Sequence, residues 1–284
     1  MMIPEYYVFT GERIPRHITH VLIDKALKFV PARAFQHHPN IEEVICHDGV
    51  EKIGKDAFHS CPRLRRVLMP GVKEVESSAF TTCRALSFIE CGKLERIGVI
   101  AFKFCKSLSS VDLPSIKIVS TNAFSRCTNL VNCKFGKDLE SIRGGAFEDC
   151  HSLERIALPL KDGMITTGNT FAWCNKLNHV DLVGGVHETI AAFLLEEWKN
   201  DTKEEIDTIN QILPNTPSGD WPEVGGKAQA IRTWIRSFLL KYIHYKAEHQ
   251  RILSVAAATL QHALPNDIVH KNVLAFLELP SSEE

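Results

Sequence analysis

The feature that most constrains the fold is a short unit that recurs seven times, each time around a phenylalanine. The seven phenylalanines lie at positions 35, 58, 80, 102, 124, 147 and 171, at spacings of 23, 22, 22, 22, 23 and 24 residues. A unit of this length cannot bury a hydrophobic face by itself, so neighbouring units must stack to make a continuous core. The repeat therefore predicts a solenoid, although it does not specify a ligand.

Within each unit the apolar positions change their spacing from three residues to two. Counting from the phenylalanine as zero, the inward positions 0, +3, +6, +9 and +11 hold Phe58, Cys61, Leu64, Val67 and Met69 in one unit. A spacing of three indicates a tight helical turn, and a spacing of two indicates a β-strand. A branched apolar residue five positions before most of the phenylalanines predicts a second short strand. Stacked coils would then form parallel ladders with a spacing of about 4.8 Å.

The charged residues outside this core provide independent support for the same register. Seven positions before six of the phenylalanines, the signs alternate from unit to unit: Lys28, Glu51, Lys73, Glu95, Lys117 and Glu140. Opposite charges are what neighbouring strands of an exposed parallel ladder prefer, because stacked like charges repel. We therefore expect these side chains to form a column of ion pairs.

The repeated motif AFxxCxxLxxV resembles that of the BspA-like leucine-rich repeat proteins. The units AFHSCPRLRRV, AFTTCRALSFI, AFKFCKSLSSV and AFEDCHSLERI are close matches, and the resemblance covers about residues 14 to 183. The first unit departs from the motif, since it has His38 where cysteine is expected. The resemblance implies a solenoid that is used for protein or surface recognition.

The whole sequence predicts an α+β protein, in which a leucine-rich-repeat parallel β-solenoid of about eight coils is followed by a C-terminal α-helical region. We expect residues 1–34 to form the N-terminal cap and first rung, and residues 35–183 to form the rest of the solenoid. Residues 184–284 are expected to be helical, with a linker at 214–226 that is rich in proline and glycine.

Three helices are predicted between residues 187 and 264 of the C-terminal region. The first would span about residues 187–199, and a capping box at Asp201 and Thr202 would start the second. Residues 227–264 contain neither glycine nor proline and predict one long helix. That helix could pack within the monomer, pair with a second copy to make a homodimer, or extend freely.

Composition and charge exclude several functional classes. The net charge is -1, which gives no overall attraction to nucleic acid or to a membrane surface. The N-terminus lacks a secretory signal, and no stretch approaches the roughly 18 apolar residues of a membrane span. We therefore expect a cytoplasmic protein, with a nuclear location left open, that is not secreted.

The nine cysteines invite a metal or redox interpretation that their positions do not support. All nine fall on inward positions of the repeat, where cysteine behaves as a small hydrophobic residue. The histidines show no metal-ligand spacing, and no glycine pair is followed by the residues of a phosphate-binding loop. The sequence therefore indicates a non-enzymatic protein with no catalytic residues, no metal and no cofactor.

Two surfaces are candidate binding sites. The first is the outward side of the main strand ladder, at positions +8 and +10, which we call the strand face. Its candidate partner-binding residues are Leu22, Ile45, Arg66, Leu68, Phe88, Glu90 and Asp112. The second is a basic strip on the turns, with candidate anion-binding residues Arg63, Arg65, Arg84, Lys103, Lys106 and Arg126. The leading hypothesis is a scaffold that binds an unknown protein partner through the strand face, and the alternative is binding of a polyanion or nucleic acid.

Overall fold

The computed structural model describes residues 5–183, 196–218 and 226–261. These form a parallel β-solenoid that is closed at its C-terminal end by two helices. The strands of the described residues, in chain order, are β1 Tyr7–Phe9, β2 His20–Ile23, β3 Phe29–Val30, β4 Glu43–Ile45, β5 Lys52–Ile53, β6 Arg66–Leu68, β7 Glu74–Val75, β8 Phe88–Glu90, β9 Arg96–Ile97, β10 Ser110–Leu113, β11 Ile118–Val119, β12 Asn132–Phe135, β13 Ser141–Ile142, β14 Arg155–Leu158 and β15 His179–Leu182.

The strands form two parallel ladders, as the repeat predicts. The first ladder has the order β1-β2-β4-β6-β8 and then, after a break, β10-β12-β14-β15. The second ladder is a six-stranded sheet of the short strands, from β3 to β13. Neighbouring strands pair at equal repeat positions, so Val44 lies across from Val67 and Val67 from Ile89. Apart from β1, the first ladder has eight strands, which are β2, β4, β6, β8, β10, β12, β14 and β15. Seven complete coils connect these eight strands, and β1 is an additional strand at the N-terminal end.

The repeated phenylalanines stack along the interior of the solenoid. The rings of Phe58, Phe80, Phe102 and Phe124 lie parallel to their neighbours, with centroids 5.1 to 5.2 Å apart and interplanar angles of 3 to 5°. Each is fully buried. The centroid distance is close to the strand spacing of a β-ladder, so the rings follow the rise of the coils. The predicted core positions are confirmed, except that Ile89 on β8 and Leu182 on β15 are half-buried.

The cysteines at position +3 form a second buried column, in which each thiol donates a hydrogen bond to the preceding coil. The Sγ of Cys61 lies 3.0 Å from the carbonyl oxygen of Phe35, and the Sγ of Cys105 lies 3.2 Å from that of Phe80. His38 takes this position in the first unit, and its Nε2 lies 3.0 Å from the carbonyl oxygen of Pro15. Burial lowers the pKa of His38, so the neutral imidazole that makes this contact is favoured.

The turns on either side of each phenylalanine use a left-handed backbone. Twelve described residues other than glycine have φ between 52° and 65°, and they lie two positions before or two positions after the repeated phenylalanine. Asn122, with φ of 55°, is of a type that tolerates this region. Ile100 has φ of 52° at the equivalent position, although a β-branched side chain is strained there.

Replacing Ile100 with asparagine is therefore expected to raise the free energy of unfolding by about 1 kcal/mol, because asparagine relieves strain of that order. The reciprocal change, Asn122→Ile, should lower the stability by a similar amount. Urea unfolding of the two variants and the unsubstituted protein measures both effects. A loss of stability in Ile100→Asn would contradict the assignment of strain to this turn.

The C-terminal region contains helix α1, Glu196–Ile212, a short 3-10 turn at Leu213–Asn215, and helix α2, Lys227–Gln261. The predicted start of a helix at Asp201 and Thr202 is wrong, since α1 continues through both residues. The side chain of Asp201 accepts a hydrogen bond from the Tyr245 hydroxyl group, so it joins α1 to α2. Most of the helix expected over residues 187–199 and the centre of the predicted linker, at residues 219–225, lie outside the described residues.

Both helices dock on the last coil of the solenoid. The Asn210 side chain pairs with the backbone of Val180 as a neighbouring strand would, with its Oδ1 accepting from the Val180 N–H at 2.8 Å. The buried Lys227 ammonium donates to the carbonyl oxygens of Leu177 and Leu213, the latter at 2.8 Å. Burial lowers the pKa of Lys227. Polar side chains of the helices thus satisfy backbone groups that the end of a ladder would otherwise leave unpaired.

Helix α2 is continuous over its 35 residues, and its first half is packed against the rest of the protein. Ile231, Ile235 and Phe238 are buried, whereas Leu240 and Ile243 are 70% and 60% exposed. The packing of the first half confirms that the helix packs within the monomer, and a homodimer through the long helix of residues 227–264 stays a prediction. Within the described residues, neither helix has a stretch that is both long and apolar enough to cross a bilayer.

Candidate functional site

The strand face carries a contiguous row of apolar side chains at its N-terminal end. Val8, Leu22, Ile45 and Leu68 lie at equal positions of β1, β2, β4 and β6, and each is directly opposite the next in the ladder. Val8 is 49% exposed and Leu22 is 36% exposed, while Ile45 and Leu68 are half-buried. We call these four residues the apolar row. A contiguous exposed patch of this kind marks a contact surface more often than isolated surface hydrophobic residues do.

Within the described residues, no other segment lies over the apolar row. Strand β1 pairs edge to edge with β2, so it lengthens the row by Val8 and leaves it uncovered. Helices α1 and α2 contact the opposite end of the solenoid, at β15 and at the 3-10 turn Gly168–Phe171. The row is therefore open on the described surface.

A line of polar and aromatic contacts runs beside the apolar row. The Tyr6 hydroxyl donates to Oε2 of Glu43 at 2.5 Å, and Oε1 of the same carboxylate lies 3.1 Å from Nε of Arg66. The Arg66 guanidinium lies over the ring of Phe88, with 5.1 Å between its Cζ and the ring centroid. These contacts hold Arg66 and Phe88 at a defined place on the strand face, so less rotamer entropy is lost when a partner binds.

The outward side chains of the strand face change from apolar to acidic at the break between β8 and β10. Glu90 follows Leu68 in the column of the apolar row, and Asp112 follows Glu90. Both carboxylates are exposed, and β8 and β10 do not pair. Beyond the break, Arg155 forms an ion pair with Asp181 at 2.9 Å, and Ala157 is buried. The structure therefore brings together all seven candidate partner-binding residues on one face, with the apolar members at the N-terminal end and the acidic members beside the break.

The six cations of the basic strip do not form one free surface. Arg63 donates to the Asn40 side chain at 3.1 Å, and Arg126 pairs with Asp149 at 3.0 Å. Lys103 and Arg126 both lie over the ring of Phe104, at 5.5 and 5.3 Å from its centroid. The remaining cations are exposed and have no ion pair within the described part of the chain: Arg65, Arg84 and Lys106. Half of the strip is therefore engaged within the protein itself.

The cysteines offer no reactive centre on the strand face. All nine are buried and free of disulfide bonds. Burial raises the pKa of Cys46, Cys91, Cys127 and Cys174 to about 12, so these thiols are protonated at neutral pH and are weak nucleophiles. Among the described residues, no group of three or more histidine, cysteine or acidic side chains could hold a metal ion.

Two residues of the site were missed at the level of sequence. Val8 and Tyr6 precede the first recognisable repeat unit, so the phenylalanine register assigns them no position. A weak signal was present in the alternating apolar segment Tyr7–Phe9, in which Phe9 is buried and contacts Phe35 with ring centroids 4.6 Å apart. An N-terminal strand that begins the aromatic stack would also place Val8 outward, beside Leu22.

Comparisons with known proteins agree with this architecture. The family model of the BspA type leucine rich repeat region matches in six copies, over residues 7–118 and 95–200. A leucine-rich repeat protein from T. pallidum is 26% identical with a TM-score of 0.51, and the match covers 57% of this chain and 79% of that protein. A leucine-rich cell surface protein from Faecalibacterium prausnitzii is 27% identical with a TM-score of 0.49, and the match covers 62% of this chain and 49% of that one. No curated protein sequence matches the chain.

Proposed function

Since the chain belongs to the BspA-type leucine-rich repeat family, we propose that it is a non-enzymatic scaffold that binds a protein partner through the strand face of its solenoid. The observation that carries this proposal is the apolar row of Val8, Leu22, Ile45 and Leu68, which is open on the described surface. Solenoids present extended surfaces of this kind to their partners. The expected cytoplasmic location remains a prediction.

The row has the composition of the centre of an interface. Its four aliphatic side chains are flanked by the ordered pair of Arg66 and Phe88, and arginine and aromatic residues are enriched at interface centres. Full burial of an aliphatic side chain contributes about 1.5 to 3 kcal/mol relative to an exposed one, and these side chains have part of that still to gain. A few such residues supply most of the affinity of a typical protein interface.

The double substitution Ile45→Asp with Leu68→Asp is expected to abolish partner binding and to leave the fold intact. Two carboxylates placed at the centre of an interface would have to lose their hydration without finding cations. Affinity capture followed by quantitative mass spectrometry, with the unsubstituted protein and the variant as baits, measures the loss.

The matched control is Phe29→Asp with Val99→Asp, because Phe29 and Val99 are 54% and 43% exposed and lie outside the strand face. Circular dichroism and thermal unfolding show whether each variant is folded. The proposal predicts proteins that are retained by the control and lost by the strand-face variant. Equal capture by both variants would show that the strand face is not the binding surface.

A further inference from the structure

Resting on the proposed function, we infer that the partner carries a lysine or arginine side chain, which sits at Glu90 and Asp112 while apolar side chains of the same segment contact the apolar row. The two carboxylates continue the column of the row across the break in the first ladder. The inference assigns the chemistry of the partner segment and its orientation along the solenoid.

At four other places the solenoid pairs exposed charges from one coil to the next. In the predicted charge ladder, Lys73 pairs with Glu51 at 3.4 Å and Lys117 pairs with Glu95 at 2.9 Å. On the strand face, Glu43 pairs with Arg66, and Arg155 pairs with Asp181. In each of these four cases, a carboxylate in a ladder position forms an ion pair with a cation one coil away.

Glu90 and Asp112 depart from this pattern. The residue across from Glu90 in the preceding coil is Leu68, and the next residue in its column is Asp112. Lys134 lies across from Asp112 in the register, although the two form no ion pair within 4.0 Å. In the part of the chain that the structure describes, neither carboxylate has an ion-pair partner. Both carboxylates are therefore free to accept an ion pair from a partner.

The first ladder is interrupted at the same place. Strands β8 and β10 do not pair with each other, whereas the second ladder continues through β9 and β11, and Phe80 and Phe102 remain stacked 5.1 Å apart. The break is therefore confined to the strand face. Glu90 and Asp112 occupy the same repeat position in successive coils, so one cation from a partner would be attracted by both carboxylates.

The distance between the first residue of the apolar row and Glu90 sets the length of the partner segment. Four strand steps separate Val8 from Glu90 in the ladder β1-β2-β4-β6-β8, which is about 19 Å at the usual spacing. The row crosses the strands, so a partner that follows it makes side-chain contacts and adds no strand to the sheet. A helical segment of about 13 residues covers that length, with its basic residue at the end that reaches β8.

A phage library of random 16-residue peptides, selected on the immobilised full chain, supplies the probes. Selected peptides are synthesised with a fluorescent label, and their affinities are measured by anisotropy for the unsubstituted protein and for Leu68→Asp, Glu90→Gln, Glu90→Lys and Asp138→Lys. Asp138 is an exposed carboxylate outside the strand face and serves as the control for the change in net charge. Thermal unfolding verifies that each variant is folded.

We expect peptides whose binding is lost in Leu68→Asp and whose sequences share a lysine or arginine next to apolar residues. Their affinity should fall about threefold in Glu90→Gln and about tenfold in Glu90→Lys, and should be unchanged in Asp138→Lys. Changing the basic residue of the peptide to glutamate should restore binding to Glu90→Lys. Rising salt should weaken the interaction with the unsubstituted protein more than the interaction with Glu90→Gln.

The outcomes separate this inference from the proposed function. Peptides that require Leu68 but bind equally to Glu90→Lys would overturn the assignment of a basic residue and leave the strand face as the binding surface. A selection in which no peptide depends on Leu68 would overturn both.

Discussion

Replacing Phe102 with alanine is expected to lower the free energy of unfolding by about 3 to 5 kcal/mol, the range observed for truncation of a buried aromatic side chain. Phe102 is fully buried in the middle of the aromatic stack, with ring centroids 5.1 Å from Phe80 and 5.2 Å from Phe124. The substitution removes both contacts and leaves a cavity between two coils. Urea unfolding measured by circular dichroism gives the change in stability.

The control for this variant is Phe88→Ala. Phe88 is 45% exposed on the strand face, so its loss should cost about 1 kcal/mol or less. Because each coil contacts only its neighbours, a cavity in the central coil should also reduce the cooperativity of unfolding. Fluorescence of the C-terminal tryptophans would then report a different midpoint from circular dichroism. A loss below about 1 kcal/mol for Phe102→Ala would show that the stack does not hold the coils together.

Replacing Gly136 with alanine is expected to cost about 3 kcal/mol, since it forces two coils apart. A Cβ atom at this position would lie 1.7 Å from the carbonyl oxygen of Pro114, and the Gly136 N–H donates to Leu113 in the same preceding coil at 3.1 Å. Backbone atoms cannot yield as a flexible side chain would, so the turn must move. The change in the free energy of unfolding is again measured with urea.

Gly92 provides a matched control, because it occupies the same position, +12, in another unit. A Cβ atom added there has no heavy atom within 4 Å, so Gly92→Ala should be neutral or slightly stabilising. Both glycines follow strands that pair with the preceding coil, β8 with β6 and β12 with β10, so the two variants differ in how closely the turn itself approaches that coil. Equal destabilisation by the two substitutions would mean that the coils after β8 and after β12 are stacked equally closely.

The repeat register could be determined from the sequence because each core position is occupied again one coil later. A side chain such as Phe102 meets Phe80 and Phe124, so a spacing of 22 residues encodes a contact directly. Ion pairs between neighbouring coils follow for the same reason, and two of the predicted column are observed, Glu51 with Lys73 and Glu95 with Lys117. All of these contacts join residues whose separation is the length of one repeat.

The candidate site could be predicted only in part. The outward positions of the strand face follow from the register, and so do Ile45, Leu68 and Glu90 as neighbours in one column. Val8 lies before the first unit, and its place beside Leu22 depends on the pairing of β1 with β2. Whether another segment covers the row depends on the tertiary structure, in which the described helices lie at the other end of the solenoid.

The C-terminal region shows where local patterns fail. Asp201 and Thr202 have the residue types of a helix start, yet α1 passes through them. A capping box describes local hydrogen bonds, and here the carboxylate of Asp201 bonds to Tyr245, which is 44 residues away. Similarly, no sequence pattern indicates that Lys227 would be buried against the carbonyl oxygens of Leu177 and Leu213.

The sequence by itself therefore determined the solenoid, its register, its core columns and the side of each strand that faces outward, because these depend on contacts between equivalent positions of a repeat. Only the tertiary structure decided how the two ends are closed, where the first ladder breaks and which part of the strand face is open. Those features depend on contacts between segments that share no period, such as Asn210 with Val180, or on the loss of pairing between two equivalent strands, β8 and β10. Such contacts leave no recurring pattern along the chain.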